Sequence, residues 1–190
     1  VRDCSTGGLG GAFWCDFGNT LLFEDCVFEG NSATSDGGGL VIRGIATMRN
    51  CTVVGNTTGG VGAGIVIGAE GSLVLENSIV AFNQSGEAIT CQGTDAITVS
   101  CTDIFGNSGG DWVGCVADES GLNGNIALDP VFCDAGSGDL TLGSSSPCAP
   151  ENSQGCDLIG ALGVGCGEEP VISAIVDVPN DQGRRVRLSW

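Results

Sequence analysis

The sequence contains no lysine, no histidine and no tyrosine, so its six basic residues are all arginines. Histidine is the commonest general base and metal ligand, and the usual CxxC zinc spacing is also missing. The 23 acidic residues give a net charge of −17. Such a surface repels phosphate backbones and anionic lipids, which excludes nucleic acid as a partner. No apolar run reaches the roughly 18 residues of a membrane span, so no membrane insertion is predicted.

Four segments repeat nearly the same sequence, and each ends in asparagine. They are EDCVFEGN at residues 24–31, RNCTVVGN at 49–56, ENSIVAFN at 76–83 and VSCTDIFGN at 99–107, and their final asparagines are 25, 27 and 24 residues apart. A second series in the same phase, GGAF, GGGL, GAGI and EAI, ends at Phe13, Leu40, Ile65 and Ile89. Two motifs that repeat together at one period indicate a stacked structural unit.

The repeated unit has the composition of short β-strands between tight corners. Each strand has four to six residues, with glycine and asparagine at the corners, and a helical period is absent. A period in the twenties is too short for a propeller blade and matches one turn of a parallel β-helix. The sequence therefore predicts an all-β solenoid of about four coils.

Stacking of such coils about 4.8 Å apart places equivalent residues in columns. One column lies at a corner, where asparagine amides bond the neighbouring coils; we expect it to contain Asn31, Asn56, Asn83 and Asn107. An inward aliphatic column is predicted at Leu40, Ile65 and Ile89. A second aliphatic column is predicted at Val53, Ile79 and either Thr102 or Ile104. A column of small residues is predicted at Cys26, Cys51, Ser78 and Cys101, where the cysteines serve packing.

The chain beyond the repeats contains four further recognisable segments. They are TDIFGNSGGDW at 102–112, GNIALDPVF at 124–132, SGDLTLGSSSPC at 137–148 and LIGALGVGC at 158–166. With the coils, they resemble bacterial secreted right-handed parallel β-helix proteins that carry a choice-of-anchor region, over residues 3–166. The resemblance implies that a longer loop and a segment capping the helix end follow Asn107. We therefore predict coils at 1–107, loop and cap at 108–167, and a linker with a strand tail at 168–190.

Eleven cysteines in 190 residues indicate an oxidising, extracellular setting. The odd number leaves at least one thiol without a partner in the chain. The candidates for disulfides lie in the irregular part and at its start: Cys91, Cys101, Cys115, Cys133, Cys148, Cys156 and Cys166. Cysteine spacing does not determine the pairing. Our preferred arrangement is a local Cys91–Cys101 bridge and two bridges within the cap.

The tail reads as a linker, GEEP, followed by strand, turn and strand. It resembles the first two strands of a fibronectin type III-like domain, and two strands alone are marginally stable. The chain therefore reads as part of a longer protein. As an alternative, we expect neighbouring copies to stack head to tail into filaments, with the tail adding to a neighbour's sheet. The residues assigned to that assembly are Val171, Ile172, Ile175, Val186, Leu188 and Trp190.

Two functions agree with these observations. The first is a non-catalytic extracellular structural or adhesive module of a bacterial surface or secreted protein, whose partners are copies of itself or other domains. The second is a polysaccharide-binding or polysaccharide-degrading β-helix, which needs an aromatic or basic stripe on one coil face. We identify no catalytic residue and no required cofactor. Acidic loop residues are explained by turn chemistry, with calcium at Asp103, Asp111 and Asp129 as the alternative.

Overall fold

The computed structural model describes residues 1–93 and 96–167, together with the backbone of two strands near the C-terminus. The chain is an all-β parallel β-solenoid, as the repeat predicted. Each coil contributes one short strand to each of several parallel sheets, and corners of glycine, asparagine and aspartate separate the strands.

The strands follow one another coil by coil along the chain. The first coil contains β1 (Ser5–Thr6), β2 (Phe13–Cys15), β3 (Thr20–Glu24) and β4 (Val27–Glu29). The second contains β5 (Ser32–Ala33), β6 (Leu40–Ile42), β7 (Ile45–Arg49) and β8 (Thr52–Val54). The third contains β9 (Thr57–Thr58), β10 (Ile65–Ile67), β11 (Ser72–Glu76) and β12 (Ile79–Ala81). The fourth contains β13 (Ile89–Cys91), β14 (Ala96–Ser100) and β15 (Asp103–Phe105).

The elements after the fourth coil are less regular. They are a 3-10 helix at Gly114–Glu119, β16 (Phe132–Asp134), a second 3-10 helix at Ala135–Ser137, β17 (Asp139–Gly143), β18 (Val164–Cys166), β19 (Ala174–Asp177) and β20 (Val186–Ser189). Strands β19 and β20 pair antiparallel, which agrees with the predicted hairpin tail.

The register of the parallel sheets follows the sequence repeat. Phe13, Leu40, Ile65 and Ile89 are aligned partners on β2, β6, β10 and β13. Leu40, Ile65 and Ile89 are fully buried. Because a one-residue slip would turn these side chains out of the core, the apolar column fixes the register.

The glycine-rich motif before each of these strands forms an arch over the strand's outer side. Gly37 and Gly62 have φ of 70° and 64°, the left-handed region that glycine adopts without strain. A Cβ at either residue would lie 2.3 Å from a methyl group of the outward valine four residues later, Val41 or Val66. The arches therefore bury both faces of this sheet: Val41 is 2% exposed and Val66 is 0% exposed.

The C-terminal part closes the end of the solenoid and also folds back along its side. Ile126 forms a parallel bridge with Asp103 and so extends the last coil. Further on, Leu142, Cys148, Cys156 and Ile159 pack with Ile79 and Ala81 in a second apolar cluster. We call residues 131–161 the flap. The resemblance implied a cap on the end alone, but the flap covers the outer face of the sheet formed by β4, β8, β12 and β15.

The solenoid has about six turns rather than the four expected. Partial turns at both ends account for the difference. At the start, Arg2 bridges Glu29 and β1 pairs with β5. At the end, the backbone around Ile126, beyond the fourth repeat, pairs with β15.

Candidate functional site

The four repeated asparagines form a continuous buried ladder. The side-chain amide and the backbone N–H of Asn31 both donate to Oδ1 of Asn56, each at 2.9 Å. Asn56 donates to Asn83 in the same way, at 2.9 Å for both bonds. Asn83 donates to Asn107 at 3.1 and 2.8 Å. Each amide oxygen thus accepts two bonds from the preceding coil, so these buried groups hold adjacent coils together.

The ladder has a defined group at each end. At the N-terminal end, the backbone N–H of Cys4 donates to Oδ1 of Asn31 at 3.0 Å. At the other end no fifth asparagine is available, and Asp111 takes its place. Its Oδ1 accepts from the backbone N–H and the side-chain amide of Asn107 at 2.7 and 2.8 Å. Asp111 is therefore a structural acceptor.

Two predicted columns were misaligned. Val80 pairs with Val53 and Ile104, whereas Ile79 pairs with Thr52 and Asp103 on the opposite face of the sheet. Counting from the ladder asparagines gives the observed register. Ile79 was misaligned within a repeat of the usual length, whereas the extra residue of the fourth repeat, VSCTDIFGN, accounts for the misplacement of Cys101.

The column of small residues ends in Thr102 rather than Cys101. The Ser78 hydroxyl accepts from the backbone N–H of Cys51 at 3.1 Å, and Asn125 Oδ1 accepts from the N–H of Thr102 at 3.2 Å. Burial raises the pKa of the Cys51 thiol to about 12. A thiol that stays protonated is a poor nucleophile, so its position agrees with a packing role.

Two disulfides join the last coil to the C-terminal part, Cys91–Cys115 and Cys101–Cys156, and a third, Cys133–Cys166, lies within that part. The preferred Cys91–Cys101 bridge is wrong. Cys91 lies at the end of β13, where the 3-10 helix carries Cys115 past it. Cys101 faces outward at a corner and holds the flap through Cys156. Of the two bridges predicted within the cap, only one is present, Cys133–Cys166. Cys148, another candidate in the cap, is a free and buried thiol.

Asp103 and Cys148 form a buried polar pair between β15 and the flap. Both are 0% exposed, and the Cys148 thiol lies 3.3 Å from Asp103 Oδ2. Asp103 Oδ1 accepts the backbone N–H of Leu128 at 3.1 Å. Burial raises the pKa of Asp103 to about 7, although these hydrogen bonds act in the opposite direction. Burial also raises the pKa of Cys148, and the nearby Asp103 charge adds to the effect.

The three residues named as calcium candidates lie in hydrogen-bonded positions. Asp103 is buried under the flap, Asp111 ends the ladder, and Asp129 accepts the backbone N–H of Val131 at 2.9 Å. The described residues contain no group of three histidine, cysteine, aspartate or glutamate side chains able to hold a metal ion. Each carboxylate thus has a backbone role of the kind expected from turn chemistry.

One exposed corner was not identified from the sequence. Four residues join β2 to β3 and four join β10 to β11, but only Arg43 and Gly44 join β6 to β7. The longer connections close as tight turns, with Asn19 N–H donating to Asp16 O at 3.4 Å and Gly71 N–H donating to Gly68 O at 2.7 Å. We call the space between these turns the corner notch. It is a cavity of about 220 Å³ lined by Phe17, Asn19, Thr20, Arg43, Ile45 and Glu70.

The chemistry of the corner notch differs from that of the surrounding surface. The Arg43 guanidinium carbon lies 5.9 Å from the centre of the Trp14 ring and 5.7 Å from that of Phe17. These rings are 49% and 51% exposed. Arg2 and Arg49 are paired with glutamates, whereas Arg43 forms no ion pair within the described residues. The unequal lengths of the connections were the available signal, since the spacing is 27 residues from Phe13 to Leu40 and 25 residues from Leu40 to Ile65.

The residues assigned to assembly fall largely beyond this description. Val171, Ile172 and Trp190 lie outside the described residues. Ile175, Val186 and Leu188 lie on β19 and β20, which pair antiparallel through their backbones.

Over the described residues, no helix has the length and apolar character needed to cross a membrane. The chain matches no protein-family model, no curated protein and no solved structure.

Proposed function

We propose that this chain is a non-catalytic structural and adhesive β-helix module of a bacterial surface or secreted protein. One observation carries the proposal: the buried polar side chains serve the backbone. The ladder asparagines, Ser78, Thr102 and Asn125 are buried, and their side chains form hydrogen bonds with the backbone of the preceding coil. Buried polar side chains of the kind that supply binding or catalytic groups in other sites thus connect the coils here.

The three disulfides support the extracellular part of the proposal. They fasten the end of the solenoid and the flap, where the regular columns stop. Disulfides persist in oxidising compartments. The resemblance to secreted choice-of-anchor β-helix proteins supports the bacterial part of the proposal. On the resemblance of the tail to a fibronectin type III-like domain, we propose β19 and β20 as the start of a sandwich-like domain.

The burial of Asp103 argues against degradation of polysaccharides, the alternative function. A pKa near 7 would suit a general acid. However, a general acid must reach the scissile bond, and Asp103 is 0% exposed beneath the flap. Its raised pKa therefore reflects the cost of burial.

The partners we propose are copies of the same chain or further domains of a longer protein. In the described part of the chain, β2 and β3 are edge strands of their sheets. Free strand edges of this kind pair with other strands. Light scattering over a hundredfold concentration range tests self-association. A mass that rises with concentration supports it, and a constant monomer mass would leave only other domains as partners.

Prolonged incubation with polygalacturonate and with neutral glucans, each with and without calcium, tests the absence of catalysis. We expect the chain-length distribution of every polymer to stay unchanged. The appearance of unsaturated or new reducing ends, proportional to protein concentration, would contradict the proposal. Heat-denatured protein from the same preparation serves as the control.

A further inference from the structure

We propose that the corner notch is a binding site for one sugar ring of a neutral glycan. This inference rests on the proposed adhesive function and names the class of ligand. The notch forms because a two-residue corner lies between two four-residue turns. The sequence of the coils therefore builds a recess at this corner.

The aromatic rings provide the apolar part of the site. Phe17 lies at the second position of its turn, followed by Gly18 with φ of 75°. That conformation favours glycine, and it places Phe17 at the tip, where 51% of its surface is exposed. Trp14 is 49% exposed, and its ring centre lies 5.9 Å from the Arg43 guanidinium carbon. Exposed aromatic faces beside polar groups suit the apolar face of a pyranose ring.

The polar groups of the notch define the hydrogen bonding of the ligand. Arg43 can only donate hydrogen bonds, and Glu70 in its ionised form can only accept them. The Asn19 amide can do both. A ligand that satisfies all three must carry donors and acceptors close together, as the hydroxyl groups of a sugar do. Arg43 is also held near both rings, which reduces the side-chain entropy lost on binding.

Charge decides between neutral and acidic glycans. A carboxylate ligand would meet Glu70 within the notch and a chain of net charge −17 around it. A cationic ligand would meet Arg43. Each charged ligand would thus meet one like charge within the notch, whereas a neutral sugar avoids both repulsions and can bond to both side chains.

The size of the notch limits how much of the glycan it holds. Its volume of about 220 Å³ is below the roughly 300–1,000 Å³ of pockets that enclose drug-sized ligands. One ring therefore lies in the notch and the rest of the glycan remains in solvent. Weak binding at a single site is useful for adhesion when many copies act together.

Titration calorimetry and saturation-transfer NMR on the full chain test this site. The probes are cellohexaose, laminarihexaose, maltohexaose and mannohexaose, with hexagalacturonate as the acidic comparison. We expect saturable binding of at least one neutral hexasaccharide. Phe17→Ala and Arg43→Gln should each weaken it by about tenfold, the scale of losing one aromatic or cation–aromatic contact.

The control variant is Leu122→Ala, which removes a similarly exposed apolar side chain far from the notch in sequence. It should bind like the wild type, and thermal unfolding checks that all three variants remain folded. Binding that is absent across the neutral panel, unchanged in Phe17→Ala and Arg43→Gln, or tighter for hexagalacturonate would overturn the inference. Those outcomes leave the non-catalytic proposal intact. Shortening of a bound hexasaccharide would instead contradict the proposed function while supporting the site.

Discussion

The backbone N–H and the side-chain amide of Asn107 both donate to one carboxylate oxygen of Asp111, at 2.7 and 2.8 Å. This pair ends a ladder that begins three coils earlier at Asn31. An amide oxygen would serve the same purpose, but a carboxylate makes a stronger acceptor for the last pair of donors. The ladder thus ends on a charged group, and the cap can begin without a fifth asparagine.

Removal of that end group should destabilise the fold. Asp111→Ala leaves the Asn107 N–H without its acceptor, and we expect a loss of about 2 kcal/mol in the free energy of unfolding. Urea unfolding followed by circular dichroism measures it. Asp118→Ala, at an exposed position of the 3-10 helix, is the matched control and should change stability by less than about 0.5 kcal/mol. Equal effects of the two substitutions would contradict the role of Asp111.

An interruption of the middle of the ladder should cost more. Asn56→Ala removes the acceptor of two donors from Asn31 and the side-chain amide that donates to Asn83 and to the Phe28 carbonyl. Because these groups are fully buried, we expect a loss of about 3 kcal/mol or more. Asn19→Ala removes an exposed amide with one bond to Asp16 and should cost under about 1 kcal/mol. A loss at Asn56 no larger than that at Asn19 would show that the ladder contributes little.

The buried carboxyl of Asp103 should make stability depend on pH. Its folded pKa of about 7 is above the ordinary aspartate value of 3.8. The folded state therefore binds the proton more tightly, and this contribution is fully present below about pH 4 and lost as pH rises towards 7. The difference between the two pKa values corresponds to about 4 kcal/mol in the free energy of unfolding.

Asp103→Asn isolates this effect, because asparagine imitates the protonated carboxyl. We expect the variant to match the wild type near pH 4 and to exceed it in stability at pH 8. Urea unfolding at the two pH values gives both numbers. A constant difference between the proteins across this range would contradict the pKa assignment.

The Cys101–Cys156 bridge should hold the flap against the solenoid. Its loop of 55 residues is longer than the 24 of Cys91–Cys115. Chain entropy then predicts that removal of Cys101–Cys156 lowers the free energy of unfolding by about 4 kcal/mol, and removal of Cys91–Cys115 by about 3 kcal/mol. Replacement of each pair by serine, followed by urea unfolding, compares them.

Hydrogen exchange separates the roles of these two bridges. Without Cys101–Cys156, the N–H groups of Gly160 and Ala161, which donate to Asn77 and Thr52, should lose protection. Protection of the ladder asparagines should remain. Unchanged exchange at Gly160 and Ala161 would show that apolar packing alone holds the flap.

The sequence predicted the parts of this fold that repeat, and the reason is physical. A column such as Leu40, Ile65 and Ile89 requires the same side chain at the same place in every coil, so it leaves a periodic pattern. The same holds for the asparagine ladder. One extra residue before Asn107 was enough to misplace Cys101 in the column of small residues, because a shift of one residue changes which side chain occupies the column.

The features that do not repeat were not predictable in this way. The pairing of Cys101 with Cys156 depends on how the flap folds back, and no local spacing records that path. The corner notch brings together Phe17, Arg43 and Glu70 from three successive coils. Each residue is unremarkable in its own segment, and only the unequal coil lengths indicated a recess.

Side-chain amide exchange in ¹⁵N-labelled protein tests the central claim most directly, since that claim assigns the buried polar residues to the fold. We predict that the amides of Asn31, Asn56, Asn83 and Asn107 exchange at least about a thousandfold more slowly than the exposed amide of Asn19, an opening free energy of about 4 kcal/mol. Fast exchange at the two central asparagines, Asn56 and Asn83, in the folded protein would contradict it.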